Sequence, residues 1–395
     1  MSHVVICSSK RTPIGKFCGA LATLPAPKLG AAAIKGVLDE TQIEPGTVEQ
    51  VIMGNVLQAG IGQAPARQAG LYAGLPESVG AITLHKVCGS GLRAVMDAHN
   101  AIKAGEWEVV IAGGMENMSL APHILANSRK GYRMGDIRAI DSLVHDGLTD
   151  PSSGRHMGEC AELCAEKYDL SRAAQDAFAL DSYTKSQSAI EAGHFSAEMV
   201  AVEIPQRKGD PVVVDVDEEP FASPLDKMAQ LRPAFKSDGT ITAANASKIN
   251  DGAAALLVCS QTKAESLSLK PQVRLVAQAS CAQTPEWFTT APAFASQQCL
   301  DKAGLKVGDI DLWEINEAFA AVTMACVKEL DIDMEKVNVR GGAVAFGHPI
   351  GASGARILTT LIHTLLQEKK RYGLATLCIG GGEAVALLVE NIQTA

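Results

Sequence analysis

Three short stretches recur in the same order in the first and last thirds of this 395-residue chain, at nearly constant spacing. VIMGN, ending at Asn55, parallels LWEIN, ending at Asn316, 261 residues later. CGSGLRAV from Cys88 parallels GASGARIL from Gly351 at a distance of 263, and VVIAGGMEN parallels TLCIGGGEA, with Gly113 and Gly380 267 apart. Offsets that differ by only six across three ordered matches point to a duplicated unit. Duplication creates a pseudo-twofold axis, and loops from both copies can meet there in one site. Each copy alternates apolar strand-like runs with helical stretches: VEQVIMGNVL, AITLHKVC and EWEVVIAGG in the first, VRLVAQAS, DIDLWEINEAF and GLATLCIGGGEAVALLVE in the second. With 47% hydrophobic residues, 36 glycines and 4% aromatics, the pattern is that of an α/β protein. Residues 119–249 break it with short charged helices and loops, so they read as an insertion. The expected organisation is an N-terminal half over 1–118, completed by 250–270, a loop domain over 119–249, and a C-terminal half over 271–395.

The net charge of −9 argues against a general nucleic-acid or anionic-membrane surface, so an anionic substrate needs a local basic patch. No apolar run reaches the roughly 18 residues of a membrane span. Ten cysteines are scattered without a C-x-x-C pair, the nearest two being Cys160 and Cys164, which suits reduced thiols. MSHVVICSSKRTPIG reads as a strand entering a turn and NIQTA carries no peroxisomal signal, so a soluble cytoplasmic protein is expected.

Four polar residues stand on unusual turns. In AFGHPIGASG, Gly347, Gly351 and Gly354 permit positive φ and close approach, while Pro349 confines His348 to extended conformations; the turn presents the imidazole ahead of a helix. HKVCGSGLRAVMDAHNAIKAGE places Cys88 between a strand and a helix, with Ser90 as the expected N-cap and Gly105 as the stop. Leu92, Val95, Met96 and Ile102 share one apolar face of that helix. A cysteine at a helix N-terminus meets free N–H groups and the positive dipole end, which favour thiolate. A buried, inert thiol is the competing reading. Cys378 ends an apolar strand before Gly380, Gly381 and Gly382, whose N–H groups can form an oxyanion hole, although a glycine-rich hairpin explains the pattern too. A phosphate cradle is disfavoured, since no helix pattern follows and no P-loop motif is present. Asn316 follows a strand, where its amide can hold a water or a ligand or simply cap a helix.

VCGSGL, AGGMENMS, LRPAF, ANAS with NDGAA, NEAFA, GGAVAFGHPIGASG and CIGGG, in that order, resemble the thiolase family along essentially the whole chain. The resemblance implies duplicated α/β halves in a layered α-β-α-β-α core with an inserted loop domain. It implies that Cys88 takes an acyl group from a coenzyme A thioester, that His348 accepts the thiol proton, and that Cys378 removes the α-proton of a second acyl-CoA. His348 and an Asn316-bound water would hold the enolate oxygen, and the N–H groups of Cys88 and Gly380 the acyl oxyanion. His156 and Met157 of the HMG motif, Ser247 of ANAS, Phe288 and Phe319 would contact pantetheine and acyl groups. Neither a cofactor nor a metal is implied, because coenzyme A and its thioesters are substrates.

CIGGG resembles the biosynthetic branch, implying reversible Claisen condensation of two acetyl-CoA to acetoacetyl-CoA and CoA. The alternative is a broader-range 3-ketoacyl-CoA thiolase working in the degradative direction. MSLAPHILANSRKGYRMGD matches the segment that joins two dimers in tetrameric members, so a homotetramer is expected. Two departures stand out: Pro220 and Phe221 where many relatives have a nucleotide-binding arginine, and Lys248 where they tend to have glycine. Lys227, Arg207 and Lys208 are the candidates for the missing charge. A ketosynthase-type condensing enzyme would lack Cys378, and a non-catalytic acyl-CoA binder would have lost one of the four polar residues.

Overall fold

The computed structural model describes residues 3–222 and 225–393. In the first half β1 (Val4–Arg11), α1 (Ala26–Thr41), β2 (Gln50–Gly54), β3 (Gly80–Leu84), α2 (Ser90–Ala104), β4 (Val109–Asn117) and, after the long 118–249 segment, β5 (Asn250–Ser260) follow one another. The second half contains β6 (Val273–Ala282), α3 (Ala291–Ala303), β7 (Leu312–Ile315), α4 (Ser353–Gln367), β8 (Tyr372–Ile379) and β9 (Glu383–Asn391). From the centre outward the strands run β1-β5-β4-β2-β3 on one side and β6-β9-β8-β7 on the other. The pairing pattern repeats. β1/β5 and β5/β4 are antiparallel and β4/β2 parallel, as β6/β9 and β9/β8 are antiparallel and β8/β7 parallel. The duplication read from three sequence matches is therefore a duplication of topology. Among the described residues the halves join edge to edge through two residue pairs, Val5–Arg274 and Ile6–Val273.

Side-chain alternation along the strands sorts them into layers, because successive residues face opposite sides. Val4, Ile6, Val110, Ala112, Leu256, Leu377 and Leu387 join one core with Leu92 and Val95 of α2 and Leu358 and Leu361 of α4. Their neighbours Val5, Ile111 and Leu257 pack under Leu29 and Ile34 of α1. In the second half Leu374, Ala386 and Leu388 pack under Cys299 and Leu300 of α3. The order is thus α1, sheet, α2 with α4, sheet, α3. A buried leucine in such a layer contributes about 1.5–3 kcal/mol.

The middle helices cross at their N-termini. A Cβ on Gly91 would lie 2.8 Å from Ala355 N, and one on Gly354 2.7 Å from Leu92 Cβ, so these glycines, 263 residues apart, let the two ends touch. Residues 118–249 add no strand to this sheet among the described residues. They carry helices Met157–Lys167 and Arg172–Glu191 and two small antiparallel pairs, His123–Leu125 with Ala139–Asp141 and Val202–Ile204 with Val212–Val214.

Candidate active site

The crossing brings the Cys88 turn and the His348 turn to the same place. Before α2, Val87 takes φ +44°, a left-handed conformation that a β-branched side chain resists. Ser90 explains how the turn holds. It is the first helical residue rather than the expected N-cap, which is Gly89; its hydroxyl accepts from Lys86 N at 2.8 Å and donates to Val87 O at 2.7 Å. The serine closes the loop behind the cysteine instead of capping the helix ahead of it. Gly105 ends α2 in the left-handed region as expected, with φ +76°.

Of the three glycines around His348, only Gly347 adopts positive φ (+97°). A Cβ there would collide with the side chain of Asn250, whose Oδ1 accepts from His348 N at 2.9 Å. Gly351 and Gly354 serve close approach alone. The imidazole is buried, and its Nδ1 lies 2.5 Å from Ser353 Oγ. That hydroxyl spends its single proton on Pro349 O at 2.9 Å, so it accepts from Nδ1–H. Nε2 is left as a bare acceptor without a protein partner. Burial, with help from the Arg356 charge, pulls the His348 pKa down to about 3, so the ring is neutral at rest.

The thiolate expectation for Cys88 is overturned. The N–H groups of Gly380 and of Cys88 itself point at the sulfur and favour its anion, but burial outweighs them and, with the Glu116 carboxylate, lifts the pKa to about 11. Cys378 is fully buried, and desolvation together with the neighbouring Cys88 sulfur pushes its thiol well above the ordinary value. Cys88, Cys378 and His348 are thus all neutral at rest.

Cys88, His348, Gly380, His156, Met157, Ser247, Phe288 and Phe319 all line one cavity of about 460 Å³. Cys378 lies behind its wall, clustered with Met157, Phe288 and Phe319. Asn316 is buried too: its N–H bonds Thr376 O, two residues before Cys378, and Ala318 and Phe319 just after it face the cavity. Neither amide atom of its side chain has a protein partner. Leaving a buried polar group unpaired costs about 1–3 kcal/mol, and the unpaired atoms of Asn316 and His348 are open to a ligand or water. Gly380 opens a turn in which Gly381 and Gly382 take φ +93° and +83°.

Three features were missed in the sequence. His156 caps the helix Met157–Lys167 through Nδ1, which accepts from Gly158 N at 3.1 Å while Glu159 returns a bond to His156 N. Histidine in a capping box is unusual enough that the Glu at the third position was the only signal. Phe235, within the quoted LRPAF, stacks on His156 at 4.9 Å and meets Phe319 edge-on at 6.0 Å, extending an aromatic wall to Phe288. Ser353 stood inside the histidine motif, but only the turn shows that its oxygen faces the ring. As for the charges, Lys248 lines the cavity, with its ammonium on Val344 O (2.6 Å) and over the Tyr183 ring. Arg207, Lys208 and Lys227 are not among the lining residues.

Residues 4–262 match the thiolase N-terminal domain and residues 269–391 the thiolase C-terminal domain. The chain belongs to the thiolase family. It is 50% identical to an acetyl-CoA acetyltransferase of Pseudomonas aeruginosa over 99% of this chain and 100% of that one. It is 52% identical to an acetyl-CoA acetyltransferase of Cupriavidus necator over the same shares. The crystal structure of the Bacillus anthracis acetyl-CoA acetyltransferase superposes with a TM-score of 0.97, at 41% identity and 99% coverage of both chains.

Proposed function

We propose that the chain is an acetyl-CoA C-acetyltransferase, condensing two acetyl-CoA to acetoacetyl-CoA and CoA and reversing that reaction by thiolysis. The observation that carries this reading is one cavity where a cysteine sulfur under two N–H donors meets an unpaired histidine nitrogen, beside a second buried cysteine and an unpaired asparagine. The names of the full-length relatives support acetyl transfer, and a broader-range degradative thiolase is not favoured.

Cys88 Sγ attacks the acetyl-CoA carbonyl while its proton passes to His348 Nε2, the lone pair left free by the Ser353 bond. The oxyanion receives the N–H groups of Cys88 and Gly380. As the tetrahedral adduct collapses, CoA leaves with the Cys378 proton, giving acetyl-Cys88, imidazolium and a Cys378 thiolate. That thiolate removes the α-proton of a second acetyl-CoA, and the enolate oxygen rests on His348 Nε2–H and an Asn316-bound water. Carbon–carbon bond formation expels Cys88, which recovers its proton from His348. Two thiols that are neutral at rest thus ionise only as a partner cation or oxyanion donor becomes available.

No cofactor enters this scheme; CoA and its thioesters are substrates. We place the enzyme in the cytoplasm, on the strength of ten free cysteines and the absence of any membrane-length apolar helix among the described residues. A homotetramer is supported by Leu120, Leu125, Tyr132 and Met134, exposed apolar side chains on the segment matching the tetramer contact. Loss of acetoacetyl-CoA on adding CoA, with acetyl-CoA formed two for one, tests the activity. No loss would refute it.

A further inference from the structure

Pseudo-symmetry gives every active-site turn a twin. Cys88 corresponds to Gly351, Asn316 to Asn55, and Gly380 to Gly113. The same third match, three residues on from Gly113 and Gly380, pairs Glu116 with Glu383. In the active site the N–H of Cys88 is turned to its own sulfur, with no protein carboxylate on it among the described residues. At the twin, the equivalent N–H of Gly351 donates to a carboxylate of the protein itself, Glu116 Oε2, at 3.0 Å.

The rest of the Glu116 carboxylate is used just as fully. It accepts from Val56 N at 3.0 Å, Leu57 N at 3.2 Å and the Asn55 side-chain amide at 2.8 Å, and it is wholly buried. One carboxyl group therefore clamps two segments, the turn after β2 and the histidine turn, and it does so three residues from His348. The fit is tight: a Cβ on Gly351 would lie 2.7 Å from Glu116 Oε2 and 2.8 Å from Met115 O. Glu383, by contrast, lies beyond the 380–382 turn, partly exposed, and pairs with Lys86.

We infer that Glu116 is a positioning residue, a buried carboxyl group that occupies the twin of the oxyanion hole and through Gly351 holds the His348 turn in register with Cys88. The inference rests on the acyl-transfer reading of the site. Burial lifts the Glu116 pKa to about 7 against the pull of the Val56, Leu57 and Gly351 N–H groups. Three backbone N–H groups and an amide converge on the carboxyl, and they fix the loop most firmly above that pH, where the bonds are charge-assisted. Loss of the carboxyl group lets Gly351 N–H and the histidine turn shift, while the substrate-lining aromatic wall is untouched.

The test compares Glu116→Gln with Glu383→Gln in thiolysis of acetoacetyl-CoA, with kcat and KM measured per folded molecule. A misplaced catalytic group costs up to about 100-fold, so Glu116→Gln is expected to lower kcat about 10- to 100-fold with KM within about twofold. Glu383→Gln, which removes a surface ion pair, is expected to change kcat less than about twofold. Equal kcat in both variants overturns the inference, whatever happens to Tm. If Glu116→Gln does not fold, Asn55→Ser, which withdraws one donor, is read by the same split; a kcat reduced at unchanged KM supports the clamp and an unchanged kcat overturns it. Should the wild-type protein not turn over acetoacetyl-CoA, the proposed function fails separately. A crystal structure of the variant then decides: His348 out of reach of Ser353 Oγ supports the clamp, and an undisturbed turn overturns it.

Discussion

At the N-terminus of α4, Asn55 and Gly351 N–H are both bound to Glu116. At the N-terminus of α2, their twins Asn316 and Cys88 N–H are left for something else, the amide unpaired and the N–H turned to the sulfur. The two ends share strand order, helix start and a glycine at the crossing. What separates them is the path of one strand. β4 runs straight through Gly113, Gly114 and Met115 and delivers Glu116 inward. β8 stops at Ile379, and Gly381 and Gly382 bend the chain so that Glu383 points outward to Lys86. An active site here is a structural site with its internal ligand withdrawn.

That comparison is broken most severely by making the functional end a copy of its twin. Cys88→Gly, matching Gly351, should lower thiolysis by at least about 10⁴-fold, on the scale of losing a nucleophile. Mass analysis after exposure to acetyl-CoA should find no acetyl-enzyme; label appearing on Cys378 would contradict the assignment of roles. Next in size is the asparagine pair. Asn316→Ala should cost about 10²–10³ in kcat, the range for one oxyanion donor, whereas Asn55→Ala, which withdraws one donor from the Glu116 clamp, should lower kcat no more than about tenfold and cost about 1–3 kcal/mol of stability for the unmet carboxylate. Comparable losses of kcat would erase the distinction between the ends.

The ionisation states offer a third way to sharpen it. A Cys88 thiol lifted to about 11 is almost wholly protonated at pH 7, and its thiolate fraction rises with pH until about 11. Carbamidomethylation of Cys88 by iodoacetamide should therefore accelerate about tenfold per pH unit between 7 and 9.5, because only the thiolate reacts. A plateau below pH 8 would show a resting thiolate. The smallest effect concerns the wall rather than the ends. Phe288 is buried and lines the cavity, and methionine is more adaptable than phenylalanine. Phe288→Met should raise the six- to four-carbon ratio of kcat/KM by at most about tenfold, the value of a methylene or so of room; no change would remove Phe288 from the specificity surface.

Much of the molecule could be read from the chain because the duplication is written in local sequence. Asn55 and Asn316, Cys88 and Gly351, Gly113 and Gly380 were paired by spacing, and each pair sits at equivalent points of the two topologies. The gathering of Cys88, His348, Gly380 and Phe319 into one cavity agrees with the family resemblance. What could not be read depends on side chains that meet only after folding. Glu116 reaches Gly351 across 235 residues. The Cys88 thiol was misjudged because helix position is local, whereas the burial that overrides it is set by the whole cavity. Ser90 had the right residue type for a cap, but a strained Val87 beside it gave its hydroxyl a different task.

The close crossing at Gly91 and Gly354 has one further effect, on vibration rather than on average geometry. The Cys88 and His348 turns are mounted on helix ends that touch without a side chain between them. A displacement of one mount is transmitted to the other, so thermal motion of the central layer is shared by both reacting groups. The coupling bears on the separation of the two groups. Proton transfer from sulfur to imidazole is sensitive to that separation, so two glycines that line no part of the cavity bear on the reaction through the helices they let touch.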